Sequence, residues 1–197
     1  LSTRRQRQMC IRDSHQAKEL ELEHYLQRNL IKQLKKMSEQ KVIPNFLKHY
    51  TITELERQIN DVHFPWHYPQ TEGEPDQYVN LLYYDHQFSN AMNPMLMRCL
   101  RAITDQLNAI AILRVKVNAT PKGAPEQQWH TDWQLSTPNK TCVIYLNDNN
   151  GYTEFRDGKK ILSVKNTAVI FDSNLEHRGV PSTDNRRLVL NINYFEK

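Results

Sequence analysis

Cys142-Val143-Ile144-Tyr145-Leu146 is an apolar run centred on β-branched and aromatic residues, and Asn147-Asp148-Asn149-Asn150-Gly151 behind it is built to turn. Such a run is too short for a helix and rich in the side chains that suit a pleated sheet. Runs of the same character stand at close spacing around it: Ile112–Val117 before, then Lys160–Val164, Ala168–Phe171 and Leu188–Tyr194. Asp157-Gly158 and Ser182-Thr183-Asp184-Asn185 supply further turns. Short strands separated by turns predict a β-sandwich or jelly roll over the second half of the chain.

Upstream, the period changes to that of helices. From Gln16 to about Met37, Leu22, Leu26, Leu30, Leu34 and Met37 form one apolar stripe. Glu19, Glu21 and Glu23 come early and Lys32, Lys35 and Lys36 late, an order that complements the helix dipole. Val42–Leu47 predicts a short strand or entry segment, and Thr51 or Thr53 a cap for a helix running to about Asn60. Residues 61–78 predict a long loop. A further helix is expected from Pro94 to about Ile110, with Leu96, Leu100, Ile103 and Leu107 as its buried stripe. Helices first and strands after is an α+β order with a mainly β core, the helices backing one sheet.

The chain divides into a segment 1–14, a helical extension 15–40 and a domain 41–197. Residues 1–14 have no amphipathic period and resemble the translation of a sequencing adapter. They are expected to be foreign to the fold or a disordered basic arm. They hold Arg4, Arg5, Arg7 and Arg12 against Asp13, and so carry +3 of the formal +4 charge. The remainder is nearly balanced and lacks the basic footprint of a nucleic-acid binder.

The length, 197 residues, suits one domain with a sizeable core, and 39% apolar with 24% charged residues fits a globular protein. No apolar run approaches the ~20 residues of a membrane span. No apolar stretch follows the N-terminal arginines, so no secretory signal is expected. Cys10, Cys99 and Cys142 are odd in number and far apart, which fits neither a disulfide framework nor a CxxC metal site. A reducing, cytoplasmic location is expected.

Chemistry concentrates in Gln128-Trp129-His130-Thr131-Asp132-Trp133. On a strand, residues two apart share a face, so His130 and Asp132 can reach one metal. His177, 47 residues later, follows the buried-type run Ala168–Phe171. Two histidines and a carboxylate with open positions suit non-haem iron(II). A 2-oxoacid can fill two of those positions and dioxygen a third. The distal carboxylate of 2-oxoglutarate would then need a bidentate cation, for which Arg is best shaped. Strand parity selects it: Arg187 shares a polar face with Val189, Asn191 and Asn193, whereas Arg186 shares the apolar face of Leu188, Leu190, Ile192 and Tyr194. Arg187 is therefore expected in the cleft, with Asn191 beside it, and Arg186 at the surface. His63 and His67 are separated by Pro65 and cannot share a helix face. His49 and His86 have no ligand-spaced partner. No Gly-rich phosphate loop or GxSxG elbow is present.

His130-x-Asp132, a distant His177 and Arg187 ten residues further on resemble the 2-oxoglutarate/Fe(II) dioxygenase superfamily, and within it the prolyl-4-hydroxylase-like branch with its small phage-type members. Thr141–Asn147 resembles the strand after HxD in that branch, Ala168–Asp172 the strand leading to the second iron-binding His, and Arg187–Phe195 the closing strand. The resemblance implies a double-stranded β-helix with N-terminal helices. It implies Fe(II) on His130, Asp132 and His177, with Tyr145 joining Arg187 on 2-oxoglutarate. It also implies dioxygen as oxidant, ascorbate as accessory reductant, and hydroxylation of a C–H bond with release of succinate and carbon dioxide. A peptidyl proline is the leading substrate, with a free amino acid, small metabolite or nucleobase as alternatives. The chain departs from the family at Gly151-Tyr152-Thr153-Glu154-Phe155, where Gly-Gly is frequent, and at Arg178, where small residues are frequent. Trp129 and Trp133 flank the iron motif, one of them a candidate wall of the substrate cleft and at least one expected as a buried core tryptophan; Arg178 is expected to meet an anionic substrate or to face water, and Tyr83 and Tyr84 to line the mouth. A non-catalytic metal-binding module and a metal-dependent hydrolase are the competing readings, and Arg187 speaks against both.

Overall fold

The computed structural model describes residues 21–29, 39–69, 76–89, 93–132 and 135–197. The chain separates into two units, Leu1–Glu39 and Gln40–Lys197. In the first, residues 21–29 are helical (α1). The rest of the predicted helix Gln16–Met37, and segment 1–14, lie outside the described residues.

The second unit contains α2 (His49–Ile59) and α3 (Pro94–Gln106). Its strands are β1 (Lys41–Ile43), β2 (Tyr78–Tyr84), β3 (Gln87–Phe88), β4 (Ala109–Thr120), β5 (Lys140–Tyr145), β6 (Tyr152–Phe155), β7 (Lys160–Leu162), β8 (Ala168–Asp172), β9 (His177–Val180) and β10 (Arg187–Glu196). Seven strands form one sheet in the order β1-β8-β5-β10-β4-β2-β3, and β7-β6-β9 form a second, with every pair antiparallel. This is the mainly β jelly-roll architecture that the turn-punctuated runs predict. No described helix is long and apolar enough to cross a membrane.

The strands β8, β5 and β10 of the large sheet are buried on both faces, its outer strands β1, β2 and β3 are partly exposed, and alternation sorts the side chains. Val115 and Val117 of β4, Cys142 and Ile144 of β5, and Leu188, Leu190, Ile192 and Tyr194 of β10 join Ile52, Leu55 and Ile59 of α2 and Leu96, Leu100 and Ile103 of α3 in one core. The other face contributes Val143, Tyr145, Val169, Phe171 and Val189 to a smaller core completed by Phe155 and Ile161 of the second sheet. Each fully buried Leu, Ile or Phe contributes roughly 1.5–3 kcal/mol. The larger core therefore fixes the sheet, and the smaller one holds the second sheet over a cleft.

Several boundaries differ from expectation for local reasons. The strand read at Val42–Leu47 ends at Ile43, because Asn45 turns the chain with φ 51°. Phe46 and Leu47 are apolar because they enter the core. Neither Thr51 nor Thr53 caps α2; it begins at His49 behind Lys48, which offers no side-chain cap. Asn93 caps α3, its Oδ1 accepting from the N–H groups of Met95 and Leu96 at 2.9 and 3.0 Å, with Pro94 in the first turn. That helix stops at Gln106 rather than Ile110, and Asn108 at φ 54° reverses the chain into β4. The loop read over 61–78 ends where Tyr78 opens β2, with His67 bridging Val79. β2, β3, β6 and β9 are strands beyond those read from sequence.

Candidate active site

Residues 127–132 do not form a regular strand, as the sequence suggests, but run beside β9 on separate backbone bonds. Gln127 N–H donates to Gly179 C=O at 3.2 Å, His130 and His177 exchange bonds of 3.0 and 2.9 Å, and Asp132 N–H reaches Ser173 C=O at 3.1 Å. His130 and His177 thus stand directly opposite each other, ring centroids 4.6 Å apart. With Asp132 they bring one ligand atom each within 4.8 Å of the others. Nδ1 of His130 lies 2.9 Å from Gln128 C=O and Nδ1 of His177 lies 2.9 Å from Leu175 C=O. A carbonyl can only accept, so each Nδ1 carries a proton, and Nε2 is the nitrogen that each ring can offer to a metal.

Asp132 is held on both oxygens. Oδ1 accepts from Arg114 Nη2 at 3.1 Å, and Oδ2 accepts from Asn191 Nδ2 at 2.9 Å and Asn193 Nδ2 at 3.4 Å. Asn193 also receives Arg114 Nε at 2.9 Å and donates to Thr141 Oγ1 at 2.9 Å, and Thr141 shares a 2.8 Å bond with Ser173. Burial works to raise the Asp132 pKa, but the His177 and Arg114 charges and the Asn191 bond outweigh it and hold the carboxyl well below its usual range. Burial pushes the His177 pKa down, against the pull of Asp132. An ionised carboxylate with a neutral imidazole beside it is the protonation state that metal binding requires.

The same cavity, about 500 Å³, runs from this cluster past Val143 and Val189 to Arg187. Arg187 is 4% exposed, and burial lowers its pKa without discharging it. Its Nε donates to Ser163 Oγ at 3.0 Å and its Nη2 to Thr153 Oγ1 at 2.9 Å. Among the described residues no carboxylate pairs with it. Gly179 keeps the floor open, since a Cβ there would lie 2.7 Å from Gln127 Oε1 and 3.2 Å from Arg187 Nη1. Three ligand-ready side chains and a buried guanidinium at the far end of one cavity fit a six-coordinate metal carrying a dicarboxylate.

Tyr145 does not line that cavity. Its ring stands under Arg187, 5.4 Å from the guanidinium carbon, while its hydroxyl donates to Ile161 C=O at 3.1 Å and shares a 2.9 Å hydrogen bond with the Thr153 hydroxyl. It backs the arginine instead of facing the opening. Asn191 and Arg187 both line it. Trp129 and Arg178, candidates for the substrate side, lie outside. Trp129 is stacked between Arg156 at 4.2 Å and Arg178 at 4.7 Å, and Arg178 is tied to Glu126 and Glu154. The two guanidinium contacts hold the Trp129 ring away from the cavity. Tyr83 stacks on Phe88 at 4.9 Å against the main core, and Tyr84 is exposed on β2. Trp133 lies outside the described residues. The sequence reading missed Arg114, Lys116 and Asn118, which line the cavity from β4, and Thr153 and Ser163, which hold Arg187. For the first three the signal was present as polar residues at every second position of an otherwise apolar strand.

Residues 115–195 match the model of the 2OG-Fe(II) oxygenase superfamily. No curated protein matches the chain by sequence. Among solved structures, a prolyl hydroxylase from Trichoplax adhaerens, in complex with a hypoxia-inducible-factor peptide, is 17% identical. That match covers 90% of this chain and 92% of that one at a TM-score of 0.60. A Pseudomonas putida prolyl-4-hydroxylase is 17% identical over 81% of this chain and 94% of its own, TM-score 0.56. HygX from Streptomyces hygroscopicus, with nickel and 2-oxoglutarate bound, is 11% identical over 82% and 84%, TM-score 0.59. At these identities the likeness is one of fold.

Proposed function

We infer that this chain, whose residues 115–195 match the 2OG-Fe(II) oxygenase superfamily, is an Fe(II)- and 2-oxoglutarate-dependent oxygenase that hydroxylates an unactivated C–H bond. The observation that carries the reading is Arg187, a buried cation with no carboxylate partner among the described residues, sharing a cavity with His130, Asp132 and His177. A hydrolase or a plain metal-binding module has no use for a dicarboxylate anchor. When bound, iron with 2-oxoglutarate and dioxygen supplies the oxidising chemistry that turns C–H into C–OH, while the co-substrate leaves as succinate and carbon dioxide.

The protein's part is placement. His130, Asp132 and His177 would hold the metal at the wall of the cavity. Arg114, Asn191 and Asn193 keep Asp132 ionised and correctly aimed. Arg187 receives the distal carboxylate, and Tyr145, Thr153 and Ser163 keep its guanidinium in place. The prolyl hydroxylases among the structural neighbours support a prolyl residue in a peptide as the substrate to try first. The buried, unbridged Cys99 and Cys142 support a reducing cytoplasmic setting.

Anaerobic titration of the protein with Fe(II) and 2-oxoglutarate tests the reading. Chelation should give a visible metal-to-ligand charge-transfer band that an Asp132→Ala, His177→Ala variant lacks. Iron binding without the band would remove 2-oxoglutarate from the mechanism.

A further inference from the structure

Neither Tyr145 nor Thr153 has a hydroxyl hydrogen left for a ligand at Arg187. The Ile161 carbonyl can only accept, so Tyr145 donates its one hydrogen there at 3.1 Å, and Thr153 must be the donor in its 2.9 Å bond with Tyr145. Thr153 in turn accepts from Arg187 Nη2 at 2.9 Å. The hydrogens run one way, from Arg187 through Thr153 and Tyr145 to Ile161. Ser163 accepts from Arg187 Nε at 3.0 Å and lies off the cavity lining, 1% exposed. A carboxylate arriving here has two oxygens that both accept, and a charged acceptor left without a donor in a buried place is costly. With Nε and Nη2 engaged, the guanidinium presents Nη1, which is turned toward Gly179 and would lie 3.2 Å from a Cβ there.

Gln127 stands at the same point. Its Oε1 and Cδ would lie 2.7 and 3.0 Å from that Gly179 Cβ, so its carboxamide and Arg187 Nη1 flank one spot, and both residues line the cavity. The sense of the amide is fixed by its partners. A backbone N–H can only donate, so the atom facing Gly179 N–H at 3.0 Å is the Gln127 oxygen, and the nitrogen is turned away from that bond. Nε2 gives one hydrogen to Gln77 Oε1 at 3.0 Å and keeps a second. The Gln127 backbone N–H holds Gly179 C=O at 3.2 Å, and Gln77 is buried, so the amide is anchored at both ends. A pre-set neutral donor thus stands beside the guanidinium edge.

We propose that Gln127 is the second donor to the distal carboxylate of the co-substrate, Nε2 taking one oxygen while Arg187 Nη1 takes the other. The task that the resemblance gives to Tyr145 falls in this chain to an amide three residues before His130. This deepens the oxygenase reading and rests on it.

The test uses the full chain loaded with Fe(II) under anaerobiosis, with Kd read from the charge-transfer band. If 2-oxoglutarate gives the parent no band, the oxygenase reading falls and the proposal with it. With the band present, 2-oxoglutarate is compared with 2-oxopentanoate, which has the same chelating end and chain length but no distal carboxylate. The ratio of the second Kd to the first isolates the distal seat. Gln127→Leu should lower that ratio about tenfold, the worth of one hydrogen bond to a charged group, and leave the Kd of 2-oxopentanoate in place. Gln127→Glu keeps the shape and the acceptor for Gly179 N–H but sets a negative charge against the distal carboxylate. It should lower the ratio at least about a hundredfold. A residue that only supports the fold would weaken both acids alike. The proposal is overturned if Gln127→Leu moves both Kd values equally, or if Gln127→Glu keeps the parent's ratio.

Discussion

Replacing Arg187 with Met separates ligand anchoring from folding. In the co-substrate-free protein the guanidinium is buried, held by two hydroxyls and an aromatic ring and opposed by no carboxylate. Removing it releases a desolvated charge but strips donors from Thr153 and Ser163. These contributions oppose each other, so ligand-free stability should change by no more than about 1 kcal/mol. The effect on 2-oxoglutarate is one-sided. Truncating one partner of a buried charge pair costs about 2–5 kcal/mol; about 3 kcal/mol is roughly a hundredfold in Kd. At a concentration one hundred times the parent's Kd, the co-substrate stabilises the parent by about 2.7 kcal/mol and the variant by about 0.4 kcal/mol. For a chain of this size that is a Tm gain of about 5–10 °C against about 1–2 °C. The assay is thermal unfolding of the Fe(II)-loaded proteins under anaerobiosis, with and without 2-oxoglutarate. An R187M variant that keeps the parent's gain would refute the anchor. A variant that is several kcal/mol less stable without ligand would show that Arg187 is structural instead.

Four further outcomes are expected. His177→Ala should lose more than about a hundredfold in iron affinity, beyond what an outer partner costs, and all succinate production; iron retained through gel filtration together with full turnover would refute the assignment. Asn191→Ala removes the 2.9 Å bond to Asp132 Oδ2 and should weaken iron binding about 10–100-fold, read by competition with a chromophoric chelator. Gly179→Ala puts a Cβ 2.7 Å from Gln127 Oε1 and 3.2 Å from Arg187 Nη1. It should cost about 1–3 kcal/mol of stability and raise the Kd for 2-oxoglutarate, and unchanged values of both would mean the floor yields freely. Trp129→Ala removes a ring stacked between Arg156 and Arg178 outside the cavity; kcat and KM should hold at the parent's values, and a raised KM would return Trp129 to the substrate side.

How far the fold could be read depended on strand length. β10 and β5 carry enough consecutive β-type residues to be seen, and β10 also displays its two faces, Leu188, Leu190 and Ile192 against Arg187, Val189 and Asn191. β6 and β9 are four residues each, Tyr152–Phe155 and His177–Val180, and their outward positions hold Glu154 and Arg178. Four residues with an ion pair between them do not look like core strands, although β9 is the strand that delivers His177. β4 was legible only at its centre, because Ala109-Ile110-Ala111 continues an apolar pattern that a helix and a strand satisfy equally.

Within the site, the outcome turned on parity. Where a strand's two faces differ in polarity, side-chain direction follows from sequence; that is how Arg187 is chosen over Arg186, and it places Asn191 in the cavity too. The same rule, carried along β4, points Lys116 and Asn118 into it; it does not govern Trp129, because residues 127–132 form no regular strand and Thr131 lines the cavity together with His130 and Asp132. What parity cannot supply is depth. Tyr145 lies on the cavity-side face of β5, as its sequence position requires, yet it sits behind Arg187 because the second sheet closes over it through Thr153 and Ile161. The distance between β5 and a strand eight residues away belongs to the packing of two sheets. A residue can therefore be assigned to the correct face from sequence and still act at one remove, holding the group that touches the ligand.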